Sequence, residues 1–227
     1  MKETTKESLK TWAIVIGIMI FLWIIVWVQQ AFPATMLEKA KPYIGIFQEV
    51  VHKYWTDVKS EHYILGQVEQ ESQWNPRAEL KTSREYGFGF AQITVTDRFN
   101  NFLEAKKNIK ALSSWNWENR FEAKYQFIYL VLTDKSNFTK MKFMKTTIDK
   151  WAGALVCYNA GTGTVIQRRA LCKQTLGCQP DKWFDGLDSV EMNYEKKILY
   201  GRELGKMRNE YPELVIKKAG KYKCLLG

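Results

Sequence analysis

The chain has 227 residues, 46% of them hydrophobic, and a formal net charge of +10. That length suits one globular domain plus an appendage. The positive excess calls for an anionic partner: nucleic acid, acidic lipid, or a cell wall bearing carboxylates and phosphates. No basic run with the spacing of a nucleic-acid motif occurs, so nucleic acid is set aside and the wall fits better.

Trp12 to Val28 is an uncharged apolar run of seventeen residues. As a helix it extends about 25 Å, enough to cross a bilayer core. Trp12 and Trp27 then stand near the two interfaces, and residues 1–11 form a short cytoplasmic N-terminus. A cleavable signal peptide is the weaker reading, because the run exceeds a usual signal core and Pro33 follows the candidate cut at Ala31. Residues 29–60 read as a helical linker, with Ile44, Phe47, Val51 and Tyr54 on one stripe and Pro42 at a kink or a start.

A helix is predicted from Glu61 to Ser72, with Ile64, Leu65 and Val68 on its inner face. Glu71 follows Val68 by three positions and falls near that face. Glu69 follows it by one and is expected to point away; Glu61 too reads as an exposed charge. Asn75-Pro76 breaks the helix. Lys81 to Gln92 reads as a loop or short hairpin. Further helices are predicted at Phe121 to Leu132, at Thr146 to Asn159 (stopped by Gly161-Thr162-Gly163), and at Val190 to Arg208. The domain is therefore expected over 61–210, with a basic C-terminal tail at 211–227. The class is mainly α, and most of the abundant aromatic residues belong to its core.

Three motifs occur in one order: Glu71-Ser72-Gln73-Trp74-Asn75-Pro76, Gly89-Phe90-Ala91-Gln92, and Cys157-Tyr158-Asn159-Ala160-Gly161. Tyr194-Glu195-Lys196-Lys197-Ile198 follows them. In this order they resemble the family-1 lytic transglycosylases, whose catalytic domain shares its fold with goose-type lysozymes. The family pattern is E-S-x-x-N-P, G-L-M-Q, A-Y-N-A-G and then a Tyr-containing helix. Phe90-Ala91 in place of Leu-Met, and Cys157 in place of Ala, are departures that bear on subsite contacts. The resemblance runs from about Tyr63 to Leu204. It implies a lysozyme-like helical domain, here preceded by the transmembrane helix.

The chemistry of glycosidic cleavage agrees with that likeness. It needs a proton for the leaving oxygen and support for an oxocarbenium-like centre. A carboxylic acid supplies the proton near neutral pH if burial raises its pKa, and Glu71 is the candidate. The resemblance implies that this one Glu acts first as acid and then as base. The 6-hydroxyl of the muramic sugar then closes a 1,6-anhydro ring without water. Asp97 and Glu85 are the nearest candidates for a second carboxylate, and both read as surface charges.

The same resemblance assigns Tyr158 to a tyrosine that hydrogen-bonds and orients the acid. It assigns Gln92, and Ser83 by spacing, to contacts near the N-acetyl group, and Tyr194 to a tyrosine lining the cleft. Asn159 suits a helix cap or a sugar contact equally. Gly87 and Gly89 flank Phe88 and permit positive φ and a close sugar approach. Ser72 reads as structural, because no histidine has a reason to lie beside it.

Of the four cysteines, Cys172 and Cys178 bracket a short loop in which a disulfide can close. Cys157 reads as a small buried residue. Neither metal nor cofactor is implied, since both histidines lie far from the cysteines in sequence and no C-x-x-C occurs. The expected partner is peptidoglycan, with the domain in the periplasm or otherwise outside the cytoplasmic membrane. The setting stays open between a bacterial envelope-spanning machine and a phage particle. A hydrolytic lysozyme and a non-catalytic wall-binding protein are the rival readings.

Overall fold

The computed structural model describes residues 18–19, 34–199 and 201–227. The predicted membrane helix at 12–28 lies outside them apart from Ile18 and Met19. Among the described residues no helix is long and apolar enough to cross a membrane. The chain divides into two units, 1–38 and 39–227, and the second carries the core and the site. The class is mainly α, with 59% helix against 7% strand.

Helix α1 (Met36–Tyr54) buries Ala40, Ile44, Phe47, Val50 and Val51. Phe47 meets Phe127 edge-on, with ring centroids 5.5 Å apart. Residues 39–60, expected as a linker, are thus part of the domain, because their apolar stripe finds a core to pack on. Helix α2 (His62–Ser72) buries Ile64, Leu65 and Val68 as expected. It ends where Gln73 and Trp74 both take positive φ, at 51° and 63°, a conformation that interrupts helical hydrogen bonding.

The segment after α2 is more than a hairpin. Strands β1 (Glu79–Lys81), β2 (Tyr86–Phe88) and β3 (Ile93–Val95) form an antiparallel sheet in the order β1-β2-β3. Phe88 pairs with Glu79 on one side and Ile93 on the other. Helix α3 (Asn101–Asn108) follows, its first turn capped by the Asn100 side chain accepting from the Leu103 amide at 3.0 Å.

Helix α4 (Ala123–Lys140) is longer than the Phe121–Leu132 prediction. Helix α5 (Thr147–Ala160) agrees closely with the predicted Thr146–Asn159: Thr146 accepts from the Asp149 amide at 3.1 Å and Gly161 ends the helix at φ +82°. Such a cap contributes about 1 kcal/mol. Helix α6 (Thr162–Cys172) starts immediately beyond, and Cys172 is joined to Cys178 by a disulfide with Cα atoms 5.3 Å apart. Cys157 is buried and unpaired, and its burial pushes the thiol up to about 11.

The helix predicted at Val190–Arg208 forms only from Leu204 onward. Before it come a short 3-10 turn (Asn193–Lys196) and a two-stranded hairpin of β4 (Ile198–Leu199) and β5 (Arg202–Glu203). A buried ionic knot explains why the chain turns there. Glu195 and Arg168 are fully buried and paired at 3.0 Å, and Arg208 adds a second contact at 2.9 Å. Burial alone would raise the Glu195 carboxyl; the two arginines and the Met192 amide hold it below its ordinary range instead.

Helix α7 (Leu204–Ala219) then runs straight through Pro212, and a 3-10 helix (Gly220–Leu225) closes the chain. Residues 211–227 are therefore not a tail. Gly66 of α2 explains the close packing: an added Cβ would lie 2.6 Å from the Val215 carbonyl and 2.8 Å from the Ala219 Cβ. Only glycine lets the backbones of α2 and α7 approach this far.

Candidate active site

The cleft has a volume of about 590 Å³ and is lined by α2, the small sheet, α5, the hairpin and α7. Glu71 enters it from the last turn of α2. The residue is half-buried at its surface, while its carboxyl is enclosed by protein. Burial raises that carboxyl to about 7, against lowering by a hydrogen bond from Tyr211 and by the charge of Lys218. Its position at the carbonyl end of a helix acts in the same upward direction. A carboxyl with that pKa is divided between acid and base near neutrality.

Tyr211 of α7 donates its phenolic proton to Glu71 Oε1. Tyr158, expected in that role, donates to the Ala91 carbonyl at 2.5 Å. It lines the cleft and ties α5 to the turn before β3, but its hydroxyl is committed elsewhere. Ending the last helix at Arg208 and taking 211–227 as a basic tail hides Tyr211. The usable signal was the stripe Tyr211, Val215, Ala219, spaced by four and buried throughout.

Gln92 lines the cleft at φ 43°. Its side-chain NH2 donates to the Gly89 carbonyl at 3.1 Å and the Ala78 carbonyl at 3.4 Å. Its Oε1 lies over Gly87, 2.9 Å from where a Cβ there would sit. The amide oxygen is thus fixed at the cleft wall by bonds from the amide's other end, as an acceptor for a ligand N–H. Gly87 lines the cleft beneath that oxygen. Gly89, at φ +74°, does not: Gln126 fills the space behind it. Gln126 is fully buried, accepts from the Phe90 amide, and donates to the Arg120 carbonyl at 3.0 Å and the Pro76 carbonyl at 3.3 Å. Nothing local in the sequence marks it as this hub.

Asn159 is exposed and lines the cleft. Ser83 and Tyr194 do not. Ser83 sits exposed in the turn between β1 and β2, beside a separate hollow with Ile198 and Leu199. Tyr194 is also exposed and donates to Gln167 Oε1 at 3.1 Å. Glu85, read as a surface charge, lines the cleft, whereas Asp97 is exposed away from it. Glu69, read as pointing outward, is buried: it accepts from Tyr222 and lies 2.8 Å from Lys221 Nζ. That pairing seats the C-terminal turn against the helix that carries Glu71.

No family model matches the chain, and no curated protein matches it.

Proposed function

We propose that the chain is a membrane-anchored peptidoglycan lytic transglycosylase with a lysozyme-like domain. One observation carries the reading: Glu71, raised to about 7, stands in an open cleft and receives the Tyr211 hydrogen bond. The ordered motifs around Glu71, Gln92 and Tyr158 support it, as does a basic chain facing an anionic wall polymer.

In this reading Glu71 protonates the bridging oxygen between the muramic and glucosamine sugars. The C1–O bond breaks, and the leaving sugar keeps the electron pair and the proton. The oxygen of the muramic N-acetyl group supports the positive C1. The Glu71 carboxylate, held by Tyr211, then takes the proton of the 6-hydroxyl as that oxygen attacks C1. Glu71 ends protonated and no water is consumed. The fixed acceptor of Gln92 suits the N–H of an acetamido group. The anchor at 12–28 would hold this chemistry at the outer face of the cytoplasmic membrane, in a bacterial envelope machine or a phage particle.

A hydrolytic lysozyme is the second reading, favoured by Glu85 in the same cleft, where it could activate water. Digestion of purified peptidoglycan followed by mass analysis separates the two. Anhydro-ended muropeptides support the transglycosylase, reducing ends support the hydrolase with Glu85 as its base, and intact glycan points to a wall-binding protein.

A further inference from the structure

The C-terminal segment grips the last turn of α2 side chain by side chain. Lys221 Nζ lies 2.8 Å from Glu69, Lys218 donates to Gln70 Oε1 at 2.8 Å, and Tyr211 donates to Glu71. Tyr222 of the closing 3-10 helix holds two residues at once. Its hydroxyl donates to Glu69 Oε2 at 2.5 Å and accepts from Trp74 Nε1 at 2.7 Å. An indole N–H can only donate and a carboxylate only accept, so the direction of both bonds is fixed. All three side chains are buried, where water does not compete for them. Glu69 precedes the acid by two positions and Trp74 follows it by three. One hydroxyl therefore ties together the chain on either side of Glu71.

Between those two anchors lies a strained turn. Gln73 and Trp74 both stand at positive φ, 51° and 63°, a region that side chains of this size rarely enter. Two backbone bonds brace it, from the Gln73 amide to the Glu69 carbonyl and from the Asn75 amide to the Ser72 carbonyl, each 3.0 Å long. We propose that Tyr222 is a positioning residue for Glu71: by joining Trp74 to Glu69 it keeps this turn closed and the acid enclosed at the cleft wall, within reach of Tyr211. The Trp74 ring adds to the hold, packed on the Tyr222 ring with centroids 5.5 Å apart. Without the hydroxyl the indole N–H is left buried and unpaired, which disfavours the closed turn. The turn then relaxes out of its strained form and Glu71 moves toward water.

The proposal rests on Glu71 being the working acid, but its readout need not be cleavage. Glutamate-selective carboxyl-carbon NMR, with the Glu71 signal assigned through Glu71→Gln, follows the acid directly. The groups that face it are Tyr211 and Lys218 of α7, Tyr129 and Asp134 of α4, and Tyr158 of α5. Tyr222→Phe removes none of them. Burial is the largest cause of the raised Glu71 pKa, so Tyr222→Phe should move the midpoint down by about one pH unit, from about 7 towards 4.5. That sign is opposite to the rise expected when Tyr211 loses its own hydroxyl. An unchanged midpoint would show a merely structural role, and an upward shift would show the acid still enclosed; either overturns the proposal. A chain that titrates as expected and cuts no glycan would overturn the function and leave this inference standing.

Gln73→Gly supplies the rescue. Glycine takes positive φ at the end of a helix without strain, so the turn should close with less help from Tyr222. Combining Gln73→Gly with Tyr222→Phe should recover at least half of the shift, and a double variant as low as Tyr222→Phe alone would overturn the proposal. On purified peptidoglycan Tyr222→Phe should lower kcat about ten- to a hundredfold with KM nearly constant; a loss confined to KM would count against positioning. If Tyr222→Phe does not fold, hydrogen exchange in the unaltered protein decides. The Trp74 indole proton should persist in heavy water as long as the slowest core amides, and its immediate loss would overturn the bridge.

Discussion

The phenol of Tyr211 donates to the Glu71 carboxyl across 140 positions of sequence. The two helices that bring them together, α2 and α7, pack through Gly66 and Ala219 at a separation only glycine allows. The contact is made by tertiary packing alone, so its loss can be read apart from any local change in either helix.

Tyr211→Phe removes that donor and little else. The Glu71 pKa should rise above about 7, because the hydrogen bond favours the carboxylate. Turnover should fall about ten- to a hundredfold, the scale of a hydrogen bond to a charged group, and the alkaline limb of the pH profile should move to higher pH. Tyr158→Phe instead strands the Ala91 carbonyl. It should cost about 1 kcal/mol of stability and less turnover. A larger kinetic loss for Tyr158→Phe than for Tyr211→Phe would reverse these assignments.

That contrast marks where sequence stopped being informative. Glu71 was legible because its place follows from Val68 by helical spacing. The ends of α5 were legible because Thr146 and Gly161 act locally. The Cys172–Cys178 bridge needed only a short loop. Tyr211, Glu69 and Gln126 depend on partners far along the chain. The Glu69 carboxylate looks exposed by periodicity until Tyr222, 153 positions later, closes over it. Pro212 looks like a helix end, and a proline inside a helix does lose one backbone donor. Here buried packing on both sides, at Tyr211 and Val215, outweighs that loss.

Glu71→Gln should abolish glycan cleavage, since an amide has no acidic proton to give. It should also change stability in a direction opposite to activity. The folded Glu71 pKa lies above its unfolded value of 4.5, at about 7. The folded state therefore holds the proton more tightly, and its contribution is fully present below pH 4.5 and lost as pH rises through 7. At pH 8 the ionised acid destabilises the fold by up to about 3 kcal/mol. Glu71→Gln removes that burden, so its urea midpoint should exceed the parent's at pH 8 and approach it at pH 4.5. A parallel pH dependence in both proteins would count against the enclosed carboxyl.

Gly89→Ala should be far more damaging than Gly87→Ala to stability. At Gly89 the backbone has φ +74° and a Cβ would meet the Gln126 amide at 2.3–2.5 Å. Gln126 cannot withdraw without stranding the Phe90 amide and the Arg120 carbonyl. We expect a loss of about 2–4 kcal/mol, strain and lost hydrogen bonds together. Gly87→Ala meets only the Gln92 amide oxygen at the cleft wall, and should show itself in glycan binding. Thermal melting and binding measurements on the two variants separate these effects, and equal melting temperatures would contradict the packing at Gly89.

The last prediction joins the proposed anchor to the fold. A chain beginning at Thr35 lacks the apolar run at 12–28 but keeps α1 whole. It should be soluble, folded and as active on peptidoglycan as the domain in full-length protein. A chain beginning at Glu61, the boundary read from sequence, should not fold. It loses the buried Ala40, Ile44, Phe47, Val50, Val51 and Trp55, leaving Phe127 without the ring of Phe47 and Trp151 without that of Trp55. Burial of each large side chain contributes about 1.5–3 kcal/mol, so the total exceeds what a domain of this size can spare. Full-length protein should sediment with membranes and resist high salt, because an uncharged span is held by burial and not by charge. Salt-extractable full-length protein would remove the anchor from the proposal, and a folded chain beginning at Glu61 would return α1 to the status of a linker.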